Sequence, residues 1–453
     1  MTIRYRFSVL AMALGLAAAG GYAQAQTEVP AILEGHAILP ANSTIAAPDN
    51  APADLKSAGK YTSKKRVEKL ASVMGKSNGR ETGISLPIEG QPLQGHSGIQ
   101  VMKDGSVWII TDNGSGNKAN SPDSMLYLNQ YNIDWQSGEF RHLKTVFLSD
   151  PEKKVPFRIV HEGTKERYLT GSDFDTESFQ IIDNAIWIGE EFGPFLIKTD
   201  LDGKVQAVFD TQVEGRTIQS PDNYQVATAG APGESYTDVN LKRSKGFEGM
   251  AASPDGKFLY PLLEGPVWDE EKKSWETAEG MTVLRVLEFD VAAEKWTGRS
   301  WLYPLEAAHH AIGDFNMIDA NNGLIIERDN GEGTPDKACK DGADTKTCFS
   351  DLPRFKRVYK VQFGPDNAGK AVRKIAYIDL LKISDPNKKA RKPLTDGVLQ
   401  FPFFTIENVD VVDSEHIIVG NDNNFPFSSS REPNKQDDNE LILLKTPELL
   451  QAK

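Results

Sequence analysis

A short cassette recurs five times along this chain, and every copy sets polar or acidic residues at both ends of a buried-strand pattern. It reads GHSGIQVMKDGSVWIITDNG at 95–114, DTESFQIIDNAIWIGEEFG at 175–193, GFEGMAASPDGKFLYPLLEG at 246–265, IGDFNMIDANNGLIIERDNG at 312–331 and TIENVDVVDSEHIIVGNDNN at 405–424. In each, apolar alternation leads through a turn into a second apolar run, the pattern of two strands joined as a hairpin. The turns are Asp104-Gly105, Asp183-Asn184, Asp255-Gly256, Asn322-Gly323 and Ser414-Glu415. Most are residue types that accept positive φ. Repetition of such a unit predicts an architecture before it predicts a function.

Counted from the leading polar residues Ser97, Glu177, Glu248, Asp314 and Glu407, the copies are spaced by 80, 71, 66 and 93 residues. This is longer than the roughly 40 to 50 residues of compact blade repeats, and it suits four-stranded blades with long loops. No composition break divides residues 80–445. The expectation is an all-β chain folded as one six-bladed β-propeller, with five and seven blades as open alternatives and the sixth blade completed by the chain ends. The propeller domain is placed at 85–453. Residues 26–84 are expected to supply an extended N-terminal segment, an amphipathic helix between Ala53 and Met74, and part of a blade.

Arg4 and Arg6 precede an apolar stretch from Phe7 to Ala19, and Ala23-Gln24-Ala25 offers small residues for cleavage before Gln26. That is the layout of a secretory signal over 1–25, too short and too interrupted for a spanning helix. The expected location is periplasmic or secreted, with no membrane insertion after cleavage. The two cysteines, Cys339 and Cys348, should pair there as a disulfide, which contributes on the order of 2 to 3 kcal/mol. The chain carries a net charge of −13. An acidic surface with no basic stripe disfavours nucleic acid, so the expected partner is a small-molecule ester. Lys64-Lys65-Arg66 and the basic run from Lys388 to Lys392 read as solvated faces.

Several catalytic motifs are absent. Gly95-His96-Ser97-Gly98 lacks the spacing of a nucleophile elbow, Gly75-Lys76-Ser77 lacks the earlier glycine of a phosphate loop, and no His-Glu-x-x-His pair occurs. The acidic strand ends remain. In a propeller the innermost strands converge on one axis, so carboxylates at equivalent ends approach one another. Two such charges about 4 Å apart repel by about 4 kcal/mol at an effective dielectric near 20. Protons or a cation must offset that repulsion, and oxygen donors in such number suit Ca²⁺ better than Zn²⁺. The candidate ligands are Asp112, Glu177, Glu190, Glu248, Glu264, Glu327, Asp329, Glu407 and Asp422, with Asn113, Asn316, Asn408 and Asn423 as neutral or outer ligands. The alternative role for these acids is the capping of backbone N–H groups in turns.

The motifs Gly-His-Ser-Gly-Ile with Thr-Asp-Asn-Gly, Asp-Thr-Glu-Ser-Phe with Ile-Gly-Glu-Glu-Phe-Gly-Pro-Phe, and Gly-Phe-Glu-Gly-Met-Ala with Ser-Pro-Asp-Gly occur in order. They are followed by Ile-Gly-Asp-Phe with Ile-Glu-Arg-Asp-Asn-Gly, and by Glu-Asn-Val-Asp with Asn-Asp-Asn-Asn-Phe. Together they resemble the phytase-like domain family, "esterase-like activity of phytase", over about residues 85–445. The resemblance implies a β-propeller, recurrent Glu and Asp at these positions, and phosphate-ester hydrolysis. Asn-Val-Asp stands after Glu407 where relatives would be expected to carry Glu-Gly.

The leading expectation is an exported, Ca²⁺-dependent phosphoester hydrolase, either mono- or diesterase, using a metal-activated water. Arg328 would clamp the phosphoryl charge and His96 would serve as general acid, with His309-His310 as a weaker candidate pair. One alternative is a Ca²⁺-dependent lactonase or arylesterase built on Glu248, Asn316, Asn408 and Asp422. Another is a noncatalytic binding propeller.

Overall fold

The computed structural model describes residues 26–226 and 239–453. The expected signal segment at 1–25 lies outside the described residues. The cassettes form the two inner strands of five blades, and the favoured count of six gives way to the alternative of five. The first blade runs His96–Val101, Val107–Thr111, Tyr127–Asp134 and Glu139–Phe147. The second runs Thr176–Ile182, Ala185–Glu190, Phe195–Asp200 and Val205–Asp210. The third has Phe247–Ala252, Phe258–Leu263, Met281–Asp290 and Lys295–Pro304. The fourth has Ala311–Met317, Asn322–Arg328, Lys356–Gln362 and Arg373–Asp379.

The fifth blade draws on both ends of the chain. Its inner strands, Asn408–Val411 and His416–Gly420, are followed by Asn439–Lys445, and Ile32–Leu39 then pairs antiparallel with that third strand. The N-terminal strand thus closes this blade rather than an additional one. The innermost strands pack in sequence around the axis, and Asn408–Val411 returns to His96–Val101 to close the ring.

The second strands read as apolar runs because blades cover them on both faces. All five residues of Val107–Thr111 are buried. Ile110 and Leu128 of the first blade meet Phe179 and Ile188 of the second. Trp187 and Leu196 meet Met250 and Phe289 at the next interface, and Phe315, Ile325 and Tyr359 meet Val286 and Trp301 at the one after. Layers around Val358 and Val419, and around Ile109 and Ile418, complete the circuit. Truncating any one of these large residues to alanine is expected to cost about 2–5 kcal/mol.

The expected helix between Ala53 and Met74 does not form. A 3-10 turn covers Ala53–Lys56, after which the chain passes through turns with positive φ at Gly59, Lys64 and Ala71. Tertiary contacts override local helix propensity here: the buried Lys60 ammonium meets Asp123 at 2.9 Å and donates to the Asp54 carbonyl at 2.8 Å. The hairpin of Val73–Ser77 and Arg80–Leu86 reaches the loops after the inner strands of blades four and five, where Arg80 pairs with Glu332 and donates to the Ser429 hydroxyl. Cys339 and Cys348 form the expected disulfide in the loop after the fourth cassette.

Candidate functional site

The first hairpin of four blades slips register at its entry. His96 opposes Thr111 while Gly98 opposes Ile110, leaving Ser97 as the extra residue. The same slip leaves out Glu177 in the second blade, Glu248 in the third, and the Gly313-Asp314 pair in the fourth. In the fifth, the Glu407 amide donates to the Gly420 carbonyl at 3.1 Å and Asn408 pairs with Gly420, giving Glu407 the equivalent position. A bulge bends the strand and re-aims its side chain. Ser97, Glu177, Glu248, Gly313 and Glu407 therefore form one ring at the mouth of the channel.

A second ring comes from residues at or just past the end of the second strands: Asp112, Glu191, Glu264, Arg328 and Asp422. Asp175, two residues before Glu177, adds a further carboxylate. Oxygens of Asp175, Glu177 and Glu191 lie within 4.8 Å of one another, as do oxygens of Glu191, Glu248 and Glu264. Gly246 allows this approach, because a Cβ there would stand 2.4 Å from the Glu191 Cα.

Burial and mutual repulsion dominate the electrostatics of this basin. Glu177, Glu191, Glu248 and Asp422 are raised well above the carboxylate range, by burial first and then by the charges of neighbouring acids. Burial with the Asp175 charge raises Asp112 to about 7. Burial also raises Glu407 to about 7, against the pull of Arg328. Asp175 meets Glu177, Glu191 meets Glu264, and Glu248 meets Glu407 as carboxyl pairs. Two cations border the acids. Arg328 Nη2 lies 3.5 Å from Glu407 Oε1, and Lys245, 38 % exposed, pairs with Glu264 at the rim. Glu191 Oε1 and Arg328 Nε are buried without a hydrogen-bond partner among the described residues. Among the described residues the basin offers only oxygen donors, with neither His nor Cys, so its chemistry fits a hard divalent cation.

The candidate acids divide by strand geometry. Asp112, Glu177, Glu248, Glu264, Glu407 and Asp422 share the basin. Glu190 lies outside it and accepts the amides of Phe192, Gly193 and Phe195 at 2.7–2.8 Å. Glu327 faces away from Arg328 along the strand and is held by Tyr303, His310 and Lys374 at 2.7–2.8 Å. Asp329 accepts the Arg354 and Phe355 amides and pairs with Lys356 at 3.2 Å. These three do the capping and pairing that turn and strand-end acids commonly do.

His96 is not placed as a general acid. It neighbours the bulge residue instead of occupying the bulge, and its ring lies beside Tyr131 and Phe140 with both nitrogens buried and unpartnered. Burial lowers it to about 3, so it stays neutral. Ser97 takes the basin position and approaches Glu407 Oε2 at 3.5 Å. His310 serves Glu327, away from the basin. Asp175 and Glu191 were not among the sequence candidates. Aligning the cassettes on their apolar runs places Glu191 in register with Asp112 and Glu264, whereas Asp175 has no acidic counterpart in the other copies.

The asparagines have other partners. Asn113 donates to Asp175 Oδ2 at 2.8 Å and so orients that carboxylate. Asn316 donates to the carbonyls of Ile99 at 3.1 Å and Val409 at 2.9 Å, while its Oδ1 accepts from Gln180, which also donates to the Met250 carbonyl. This network ties together the innermost strands of all five blades. Asn408 donates to the His96 carbonyl at 3.0 Å, and Asn423 accepts the Gly95 amide at 3.3 Å. Of the lactonase-type set Glu248, Asn316, Asn408 and Asp422, the Asn316 Oδ1 is taken by Gln180, whereas the Asn408 Oδ1 is buried without a partner among the described residues.

Residues 91–425 match the family model described as "Phytase-like: Esterase-like activity of phytase". An uncharacterized secreted protein of Arthroderma benhamiae is 29% identical over 121 residues, covering 24% of this chain and 22% of that protein. The chain thus matches about a fifth of that relative's length. Among solved structures, a luciferin-regenerating enzyme aligns over 94% of this chain and 97% of its own, at 10% identity and a TM-score of 0.33. A putative 6-phosphogluconolactonase from Bacteroides uniformis aligns over 77% and 90%, at 13% identity and a TM-score of 0.28. The family match covers most of the chain and includes all five cassettes: the chain belongs to the phytase-like, esterase-like activity of phytase, family.

Proposed function

We propose that this chain is an exported, divalent-metal-dependent phosphoester hydrolase whose active site is the acidic basin at the channel mouth. One observation carries the reading: acids from four blades and the Arg328 guanidinium converge on one buried, oxygen-only site. The family's association with ester hydrolysis supports it. The apolar stretch from Phe7 to Ala19 and the secreted relative support export.

A divalent cation, Ca²⁺ by the hardness of the donors, would be held by Glu177, Glu191 and Glu248 with their neighbours, and would supply charge neutralisation and a more acidic attacking water. The protein's own groups do the rest. Arg328 presents buried N–H donors to the non-bridging phosphate oxygens, where charge grows as the ester bond breaks. Glu407, raised to about 7, is poised to take the proton of the attacking water and return it to the leaving alkoxide. Ser97 holds the Glu407 carboxylate from the far side. The new P–O bond forms to water oxygen, the P–O bond to the alcohol breaks, and the proton ends on the released alcohol. Lys245 at the rim draws the anionic substrate toward the basin.

The test is hydrolysis of nitrophenyl phosphate, bis-nitrophenyl phosphate and nitrophenyl acetate by the purified protein, with EDTA and with Ca²⁺ restored. Calcium-restored phosphate-ester cleavage is expected, and the first two substrates separate monoesterase from diesterase. Cleavage of the acetate alone would move the assignment to a carboxylic esterase or lactonase. Silence on all three by folded, metal-loaded protein would leave a binding propeller.

A further inference from the structure

We infer that the basin holds two divalent cations, bridged by Glu191. This deepens the proposed function and rests on the basin being a cation site. The two trios of converging oxygens, Asp175 with Glu177 and Glu191, and Glu191 with Glu248 and Glu264, have Glu191 alone in common. The first set belongs to the second blade, and the second set joins it to the third. Glu191 is 5 % exposed, and its Oε1 has no hydrogen-bond partner among the described residues. A buried carboxylate oxygen ordinarily finds a donor. An unpaired carboxylate oxygen between two acid pairs is placed to accept a cation on each side.

Charge balance points the same way. Among the described residues the five carboxylates of the two trios have one cationic side chain paired with them, Lys245 on Glu264. One divalent cation and that ammonium would leave two buried carboxylates uncompensated. Two divalent cations and Lys245 match the five. Arg328 is already turned toward Glu407, outside both trios. Asn113 holds Asp175 from the other side, so the outermost ligand of the first subsite is fixed in orientation as a ligand is by its supporting shell.

The experiment is calcium binding by the full chain after EDTA treatment and exchange into chelator-free buffer. Isothermal titration calorimetry would be combined with equilibrium dialysis and metal analysis. Two Ca²⁺ per chain are expected. Asp175→Asn should remove one and Glu264→Gln the other, each leaving a single bound ion. Glu191→Gln should weaken both. Loss of an outer-shell partner alone costs about 10–100-fold in metal affinity, so loss of the shared ligand should cost at least that at each subsite.

Thermal melting in EDTA separates misfolding from lost ligation. Without metal, the amide variants relieve repulsion, so they should melt no lower than the wild type while showing a smaller upward shift on adding Ca²⁺. One Ca²⁺ per chain, removed by both Asp175→Asn and Glu264→Gln, would overturn the pair, as would no bound Ca²⁺. Two ions that survive Glu191→Gln at wild-type affinity would overturn the bridge. Two bound ions without phosphate-ester hydrolysis would uphold this inference and sink the proposed function, and hydrolysis restored by a single ion would do the reverse.

Discussion

Glu407 gives the basin a measurable pH signature in the absence of metal. Its carboxyl is raised from 4.5 to about 7, chiefly because burial disfavours the charged form, with Glu264 adding repulsion and Arg328 opposing it. A carboxyl whose folded value lies above its unfolded value contributes most stability when protonated, and loses it as pH rises from the unfolded value through the folded one. For this shift the loss is roughly 1 kcal/mol at pH 5 and roughly 3 kcal/mol at pH 8. Glu407→Gln keeps the shape and removes the titration. In EDTA, urea denaturation of the variant should match the wild type at low pH and exceed it by roughly 2 to 3 kcal/mol at pH 8. With Ca²⁺ the order should reverse, because the cation stabilises the ionised carboxylates and the variant has lost one of them. Parallel stability profiles for the two proteins in EDTA from pH 5 to pH 8 would refute the claim that Glu407 is forced toward protonation by its surroundings.

Other perturbations separate catalysis, fold and staple. Arg328→Gln should lower kcat for the phosphate ester by about 100-fold with a smaller change in KM, the signature of a lost transition-state donor, read in steady-state kinetics. His96→Leu should leave that rate unchanged, because its ring faces Tyr131 and Phe140 rather than the basin; a large loss of kcat in folded protein would contradict the placement. Asp123→Asn should cost about 3–5 kcal/mol in chemical denaturation by leaving the Lys60 ammonium buried without a counter-charge. Replacing both Cys339 and Cys348 by Ser should cost roughly 2 to 3 kcal/mol and leave Ca²⁺ binding intact, because that loop contributes no carboxylate to either trio.

The hairpins were legible because strand alternation and turn residues are local properties. Their joining into blades was less so. Loop length inflates the spacing between cassettes, as in the long disulfide loop between Arg328 and Lys356, so spacing alone favoured one blade too many. The strand that closes the fifth blade, Ile32–Leu39, pairs with residues about four hundred positions away, as with Ile38 opposite Glu440. No local pattern announces such a pairing. Within the site, the leading acids of the second, third and fifth cassettes were evident, whereas the trailing acids depended on a single residue of register. Glu190 and Glu191 are adjacent and chemically alike. The bulge at Glu177 pairs Glu190 with Thr176 and leaves Glu191 to turn into the basin. The same phase sends Arg328 to the basin and Glu327 to the interface between blades.

The repeat becomes functional where it fails. A fully acidic double ring would have a carboxylate at every blade, and its symmetry would favour a cation on the axis. Ser97 breaks the inner ring in the first blade. Gly313 breaks it in the fourth, where a Cβ would stand 2.1 Å from the Ile406 carbonyl and no side chain fits. Arg328 reverses the charge of the outer ring in that same blade. What remains is polarised: the converging oxygen trios belong to the second and third blades, while the guanidinium faces Glu407 on the side of the fourth and fifth. On the proposed reading, an anionic ester bridging the two halves would meet cations at one end and Arg328 at the other. Glu407, which contacts both Glu248 and Arg328, stands at the seam where a proton must be taken up and handed on.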